Sequence, residues 1–244
     1  TIESSVSWTL GANIETLDLT GTANIDGTGT TLGETIFGNS GDNVLTGNGG
    51  LDTLRGEGGA DTLNGGSEFD ALYGGAGNDV INAGDGGDHV QGDGGNDTLN
   101  GEGGNDWMLG GDGEDIINGG AGRDRMFGHD GADTLYGGAD EDTMAGGAGS
   151  DTFVYADVSE RGDTITDFAT SGQLDALDLS QLIANLGYAG GDVFGDGLVQ
   201  LTQSGADTLV QIDNDGAGGA SSPQTLVTLQ NVTANDVDTG VWVV

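Results

Sequence analysis

Aspartate recurs every nine residues through the middle of this 244-residue chain, always at the same place in a glycine-rich unit. The unit runs thirteen times from Gly38 to Val154 without an insertion and approximates Gly-Gly-x-Gly-x-Asp-x-apolar-x. Carboxylate and carbonyl oxygens at such regular spacing are ligands for a hard cation. The candidate metal-binding residues therefore occupy the sixth position of the unit, which is held by Asn43, Asp52, Asp61, Asp70, Asp79, Asp88, Asp97, Asp106, Asp115, Asp124, Asp133, Asp142 and Asp151.

The composition of the unit favours calcium over other metals. Calcium accepts about six to eight oxygen ligands in loosely constrained geometry, whereas magnesium demands tighter octahedral geometry. Zinc prefers cysteine or histidine, but the chain has no cysteine and its two histidines, His89 and His129, are isolated. Glycine at the first, second and fourth positions permits positive φ and lets carbonyl oxygens converge.

The elements that must position these aspartates follow from the rest of the unit. Positions seven to nine, with only the middle one reliably apolar, predict a strand of three residues that turns one side chain inward. The six residues before them form a turn. We expect two units to complete one turn of a flattened right-handed parallel β-roll. Its core is then the eighth position, occupied by Leu45, Leu54, Leu63, Leu72, Ile81, Val90, Leu99, Met108, Ile117, Met126, Leu135, Met144 and Phe153.

With 18 residues per turn, the sixth positions alternate between two edges, where they stack about 4.8 Å apart. The Asn43 edge comprises Asn43, Asp61, Asp79, Asp97, Asp115, Asp133 and Asp151, and the Asp52 edge comprises Asp52, Asp70, Asp88, Asp106, Asp124 and Asp142. One calcium between adjacent aspartates gives about ten ions, with the end at Asn43 the weakest. Glu68 and Asp140 replace the fourth glycine, so we expect weaker or distorted sites near Asp70 and Asp142.

The sequence divides into three parts. Residues 1–37 lack the full unit and predict degenerate solenoid strands that cap the N-terminal end. Residues 38–154 form the calcium-binding roll, and residues 155–244 form a β-rich C-terminal cap. Within this cap we expect a short helix at residues 180–186 and strands at residues 198–203, 208–212 and 225–229.

The outward side chains predict two different sheet faces. One face carries a polar ladder of Asn64, Asn82, Asn100 and Asn118 suited to amide hydrogen bonding along the stack. The other face presents an apolar strip that includes Tyr73, Trp107, Leu109 and Phe127 beside His89. An apolar strip on so acidic a protein predicts that it is covered by one of the terminal regions, or that it docks a partner or a second copy.

The charge balance narrows the choice of partners. With 41 acidic residues against four arginines and no lysine, the net charge of −37 excludes nucleic acid and anionic membranes as expected partners. No apolar run approaches the roughly 20 residues of a membrane span, and the first residues of this sequence show no basic-then-apolar pattern of a secretory signal. Because the chain begins with Thr1 in what reads as mid-strand sequence, we expect it to be the C-terminal piece of a larger protein.

The nonapeptides, the exit segment 149–155 and the segments 163–168 and 177–180 resemble the C-terminal region of RTX proteins. This resemblance implies a calcium-loaded parallel β-roll and an uncleaved signal for the type I secretion machinery within residues 155–244. It also implies a protein secreted to the exterior or cell surface of a Gram-negative bacterium. The larger protein could be an adhesin, a toxin or an exoenzyme.

The leading functional hypothesis is a non-catalytic module that folds on meeting extracellular calcium and supports type I secretion and stability of its larger protein. The alternative is an accessory substrate-binding module of an extracellular polysaccharide-modifying enzyme, which four arginines support poorly. An ice-binding solenoid is disfavoured because the third position of the unit carries no regular threonine row. An independent enzyme is least expected, since no catalytic constellation stands outside the repeats.

Overall fold

The computed structural model describes residues 1–188, 192–213, 222–237 and 242–243. Among these residues two sheets run along the molecule, sheet A with thirteen strands and sheet B with eleven. Up to β20 the strands alternate between the two sheets, and neighbours within each sheet pair in parallel. This all-β parallel solenoid confirms the predicted fold class.

The elements follow the nine-residue unit through the repeats and depart from it at both ends. They are β1 (Ile2–Ser4), β2 (Trp8–Thr9), β3 (Thr16–Leu19), β4 (Gly27–Thr28), β5 (Thr35–Phe37), β6 (Val44–Gly49), β7 (Thr53–Gly58), β8 (Thr62–Ser67), β9 (Ala71–Ala76), β10 (Val80–Asp85), β11 (His89–Gly94), β12 (Thr98–Gly103), β13 (Trp107–Asp112), β14 (Ile116–Ala121), β15 (Arg125–Asp130), β16 (Thr134–Ala139), β17 (Thr143–Ala148), β18 (Thr152–Val154), β19 (Asp163–Ile165), β20 (Ala176–Asp178), α1 (Ser180–Asn185), β21 (Val199–Ser204), β22 (Asp207–Ile212), β23 (Gln224–Leu229) and β24 (Trp242–Val243).

The register of the repeats is 18 residues, as the sequence predicts. Ile81 lies opposite Leu63 on one side and Leu99 on the other. The repeat strands from β6 to β17 are six residues long rather than the predicted three. They are longer because pairing resumes at the second and third positions of the next unit, so that Asp85 lies opposite Gly103. The glycine-rich turns are therefore part of the sheets.

The core consists of two rows of apolar side chains, one from each sheet, enclosed between the sheets. Every eighth position from Leu45 to Phe153 is at most 1% exposed. In the repeat block each unit buries one large side chain in one of these rows, so the turns add little apolar surface to the core. The polar groups of the turns must therefore be satisfied in another way.

Both terminal regions add strands to the two sheets, but the number of residues per turn is no longer constant at 18. In residues 1–37 the register changes from Ile2 opposite Leu17 to Leu17 opposite Ile36. After the repeats, β19 adds to sheet A and pairs in parallel with β23, which continues into an antiparallel meander with β22 and β21. On sheet B, β20 pairs with β24. The helix α1 and strands β21–β23 match their predicted ranges to within one residue at either end.

Candidate metal sites

Backbone hydrogen bonds join the predicted site residues into two continuous ladders. On the Asp52 edge the Asp52 N–H donates to Oδ1 of Asp70 at 2.7 Å, and Asp70 N–H donates to Asp88 Oδ1 at 2.8 Å. On the Asn43 edge the Asn43 N–H donates to Asp61 Oδ1 at 2.7 Å. The same contact recurs at every later aspartate of both edges. The structure therefore brings together all thirteen residues in the two predicted rows.

The second oxygen of each aspartate has no hydrogen-bond partner. The twelve sixth-position aspartates from Asp52 to Asp151 are at most 2% exposed, and the Oδ2 atom of each is buried without a donor. A buried carboxylate oxygen without a donor is costly unless a cation compensates it. Among the described residues no group of three or more His, Cys, Asp or Glu side chains converges on one point. The remaining oxygen ligands of a calcium ion would therefore come from the backbone.

Across the first glycine of most units, a carbonyl oxygen lies close to the free carboxylate oxygen. A Cβ on Gly92 would lie 2.3 Å from Asp97 Oδ2 and 2.6 Å from the carbonyl oxygen of Gly110, one turn further on. At this first position glycine allows the close approach of oxygens that the sequence predicts, but it does not adopt the positive φ that was also expected. The space over this glycine collects one carboxylate and one carbonyl oxygen, a donor set that suits calcium.

The second and fourth positions supply the positive φ angles of the turn. Gly75 at a second position has φ of 109°, and Gly77 at a fourth position has φ of 135°. Glu68 and Asp140, which replace the fourth glycine, keep the left-handed backbone at φ of 78° and 82°. A side chain in this conformation is strained. The weakening predicted near Asp70 and Asp142 stays a prediction, with this strain as its physical basis.

Burial changes the acidity of the ladder aspartates. It raises the pKa of Asp61, Asp97 and Asp133 from 3.8 to about 7, against the hydrogen bond from the backbone N–H, which lowers it. Neighbouring carboxylates add to the upward shift. The fold therefore disfavours these negative charges unless a cation stands beside them.

The N-terminal ends of both ladders are satisfied by the protein itself. Asn43 Oδ1 accepts a hydrogen bond from the Asn39 N–H at 2.8 Å, and Asn43 Nδ2 donates to the Ile25 carbonyl at 2.7 Å. Glu34 precedes Asp52 in its ladder, and its Oε2 accepts from the Thr30 N–H at 3.0 Å. The assignment of Asn43 as a metal ligand stays a prediction, but both polar atoms of its amide are already engaged.

The C-terminal ends contain two aspartates that the sequence analysis did not assign to the ladders. Asp142 N–H donates to Asp163 Oδ1 at 2.9 Å, and Asp151 N–H donates to Asp175 Oδ1 at 3.1 Å. Their spacings of 21 and 24 residues break the nine-residue period. The sequence pattern around each of these two aspartates could have identified them. Each is followed by one residue and then by a buried apolar residue, as in the repeat unit.

The two outward faces differ as predicted. On sheet B the Asn82 amide donates to Asn64 Oδ1 at 3.0 Å, and the Asn100 amide donates to Asn82 Oδ1 at 3.0 Å. On sheet A the rings of Tyr73, His89, Trp107 and Phe127 form a row with centroids 5.6 to 6.5 Å apart. The asparagine ladder is therefore confirmed for these three residues.

The apolar strip on sheet A remains open to solvent where the structure describes its surroundings. Trp107 is 48% exposed. It lines a groove of about 830 Å³ along the Asp52 edge, together with Phe69 and Arg125. The described parts of the terminal regions thus leave Trp107 uncovered, and a docking role for the Tyr73, Trp107, Leu109 and Phe127 face stays a prediction.

Comparison with known families identifies the repeats. The sequence profile of the RTX calcium-binding nonapeptide repeat matches residues 28–63, 55–90, 82–117, 91–126 and 118–153, which together exceed half of the chain. No curated protein matches the chain. No helix among the described residues is long and apolar enough to cross a membrane.

Three solved structures are similar to this chain. The AlgE6R3 subunit of the Azotobacter vinelandii mannuronan C5-epimerase shares 31% identity over 57% of this chain and 77% of its own, with a TM-score of 0.44. The AlgE6R2 subunit of that enzyme shares 28% identity over 64% and 87%, with a TM-score of 0.39. The extracellular lipase LipA from Serratia marcescens shares 15% identity over 96% of this chain and 40% of its own, with a TM-score of 0.33.

Proposed function

Because this chain belongs to the family of RTX calcium-binding nonapeptide repeat proteins, we propose that it is a calcium-triggered folding module of a larger secreted protein. RTX repeats bind calcium and are typical of secreted bacterial proteins. In this proposal the module stays unfolded at the low calcium of the bacterial cytosol, passes through the type I secretion machinery and folds outside the cell. It has no catalytic role of its own.

The observation that carries the proposal is the row of buried carboxylate oxygens without hydrogen-bond donors. Twelve repeat aspartates, each at most 2% exposed, bring negative charge into the turns of a chain that already carries a net charge of −37. In an unfolded chain these groups are hydrated and well separated, so ion-free folding is opposed by desolvation and repulsion. Bound calcium reverses this balance, and its binding free energy becomes folding free energy.

Small-angle scattering with and without a calcium chelator tests the folding step. An unfolded chain of this length has a radius of gyration near ~54 Å, and a compact globule has one near ~18 Å. In chelator we expect the radius of the unfolded chain. In millimolar calcium we expect a radius somewhat above that of the compact globule, because the solenoid is elongated. Similar radii in both conditions would refute the proposal.

Secretion assays of truncated chains test the export step. We expect deletion of residues 155–244 to abolish export by a Gram-negative host that carries a type I exporter, because the secretion signal is proposed to lie there. Deletion of residues 1–37 should leave export intact. Efficient export of the chain without residues 155–244 would remove this part of the proposal and leave calcium-dependent folding untouched.

The accessory polysaccharide-binding role gains little from the arginines. The guanidinium of Arg55 lies 4.1 Å from the centre of the Tyr73 ring, and Arg123 forms an ion pair with Glu141 at 2.7 Å. Arg161 donates to the side chain of Gln224. Because three of the four arginines are engaged within the protein, and only Arg125 lines the groove beside Trp107, calcium-dependent folding is the better-supported function.

A further inference from the structure

The Asp52 edge does not end with the last nonapeptide. Asp163 Oδ1 accepts from the Asp142 N–H at 2.9 Å, and the Thr164 N–H donates to the Asp142 carbonyl at 2.9 Å. Within the repeats, Asp142 and Thr143 make the same pair of contacts to Asp124. Although this turn uses 21 residues instead of 18, Asp163 occupies the place of a fourteenth ladder residue.

Asp163 resembles the repeat aspartates in having a buried carboxylate oxygen without a hydrogen-bond donor. Asp163 is 0% exposed, and its Oδ2 is buried without a hydrogen-bond partner. The corresponding residue of the Asn43 edge differs. Asp175 Oδ2 accepts a hydrogen bond from the Ala169 N–H at 2.7 Å. One ladder therefore ends in an oxygen that a backbone N–H satisfies, and the other ends in an oxygen that accepts no hydrogen bond of standard geometry.

The space between Asp142 and Asp163 also differs from the spaces between repeats. A Cβ on Gly137 would lie 2.7 Å from Asp142 Oδ2 and 3.2 Å from Asp163 Oδ2. At Gly119, one turn earlier, the two nearest polar atoms are Asp124 Oδ2 and the carbonyl oxygen of Gly137. In the last turn of this edge two carboxylate oxygens thus face a space that, at Gly119, receives one carboxylate and one carbonyl oxygen.

Tyr155 closes this space from the side of the C-terminal region. It stands where the first glycine of a fourteenth unit would fall, and it is 1% exposed. Its hydroxyl interacts with the carboxylate of Asp163 and lowers the pKa of that group, although the two make no hydrogen bond of standard geometry. A buried neutral hydroxyl and two carboxylate oxygens form an oxygen-only surround of the kind that calcium prefers.

We propose that Asp142 and Asp163 form an additional calcium site, outside the nonapeptide repeats, at the C-terminal end of the Asp52 edge. This inference rests on the proposed calcium-binding function and extends it to a residue that the repeats do not contain. The second charged ligand favours calcium at this site, and it acts against the weakening that the strained backbone of Asp140 predicts near Asp142. The ion also fastens β19, and through it the C-terminal meander, to the roll.

The test compares Asp163→Asn with Asp175→Asn, which make the same substitution at the corresponding ends of the two ladders. Asparagine keeps an Oδ1 acceptor for the ladder hydrogen bond and removes one carboxylate. We expect the folded Asp163→Asn protein to bind one calcium fewer than the unaltered chain, as counted by equilibrium dialysis and metal analysis. Asp175→Asn should bind the same number as the unaltered chain. Circular dichroism confirms that each protein is folded.

An equal ion count in Asp163→Asn and the unaltered chain would overturn the additional site. An equal loss in both variants would also overturn it, because the effect would not depend on a free oxygen. If Asp163→Asn does not fold in saturating calcium, a crystal structure of the unaltered chain with calcium decides: anomalous density between the Oδ2 atoms of Asp142 and Asp163 supports the site, and its absence refutes it. An unaltered chain that binds no calcium would instead refute the proposed function.

Discussion

The repeat block and the C-terminal meander of β21–β23 are both β-structures, but they are held together by different forces. A repeat buries one apolar side chain and one aspartate in nine residues. Strand β22 buries every second residue, with Thr208, Val210 and Ile212 inward, and it lies between β21 and β23. The meander thus depends on apolar burial, as most sheets do. The repeats bury less apolar surface and instead bury carboxylates, which need a cation to balance their charge.

Removal of calcium should give the largest difference in stability between the repeat block and the meander. With chelator present we expect amide hydrogen exchange in residues 38–154 to approach the rate of an unfolded chain, because the buried carboxylates then repel one another. Protection in β21–β23 should fall less. Exchange measured by mass spectrometry at peptide resolution checks this. Equal loss of protection in both regions would show that the meander depends on the roll for its stability.

A change of pH should act on the repeats in the opposite sense with and without calcium. The pKa of Asp97 is 3.8 when unfolded and about 7 in the ion-free fold, so the fold retains protons that the unfolded chain releases between these values. Ion-free stability therefore falls as pH rises from about 4 to about 7. We expect chelated protein to gain β-structure on acidification, seen by circular dichroism. Calcium-loaded protein should lose stability on acidification, because protons compete with the ion.

A chelated chain that stays unfolded at pH 4 would contradict this account. Several ladder aspartates contribute to this pH dependence, because the pKa values of Asp70, Asp106 and Asp142 are also raised to about 7. The effect should therefore exceed that of any single substitution.

Substitution of one ladder residue should weaken calcium binding without altering the meander. Asp97→Ala removes a carboxylate that faces two neighbouring turns, and we expect the calcium midpoint of folding to rise at least about tenfold. Asn43→Ala should move it far less, because the Asn43 amide is engaged by Asn39 and Ile25. Calcium titration followed by circular dichroism measures both midpoints. Equal midpoints would contradict the ladder as a row of shared sites.

Val210→Ala in β22 provides the matched control from the other region. It removes apolar volume from a fully buried position, so we expect a loss of stability of about 2 to 3 kcal/mol in saturating calcium. The number of bound ions should not change.

The smallest effect is expected from a methyl group at the first glycine of a unit. Gly92→Ala would place a Cβ 2.3 Å from Asp97 Oδ2, and we expect a cost of about 1 to 3 kcal/mol. Gly94→Ala, two residues along the same strand, meets nothing within 4 Å and should change stability by less than about 0.5 kcal/mol. Thermal unfolding in calcium compares them. The alanine that occurs naturally at a first position, Ala83, shows that the site can adapt to a methyl group.

The sequence predicted the parts of this fold that are periodic. The register that places Leu63, Ile81 and Leu99 in one row follows from an apolar residue every nine positions. The sequence did not predict the role of Asp163, because the last turn has 21 residues and so breaks the repeat of 18. Asp163 nevertheless accepts the same hydrogen bond as the repeat aspartates. The length of the strands was also missed, since glycine-rich segments carry no apolar pattern, although their backbone pairs as well as any other.

The constant register has a kinetic consequence. Each rung of the roll joins residues only 18 positions apart, so the chain closes short loops throughout a block of more than a hundred residues. All-β proteins usually fold slowly because their strands meet across long stretches of sequence, and the search for such contacts sets the rate. Here the contact order is closer to that of a helical bundle. Each turn can form on the one before it, and we expect the arrival of ions, rather than a search for distant partners, to determine how fast this chain folds.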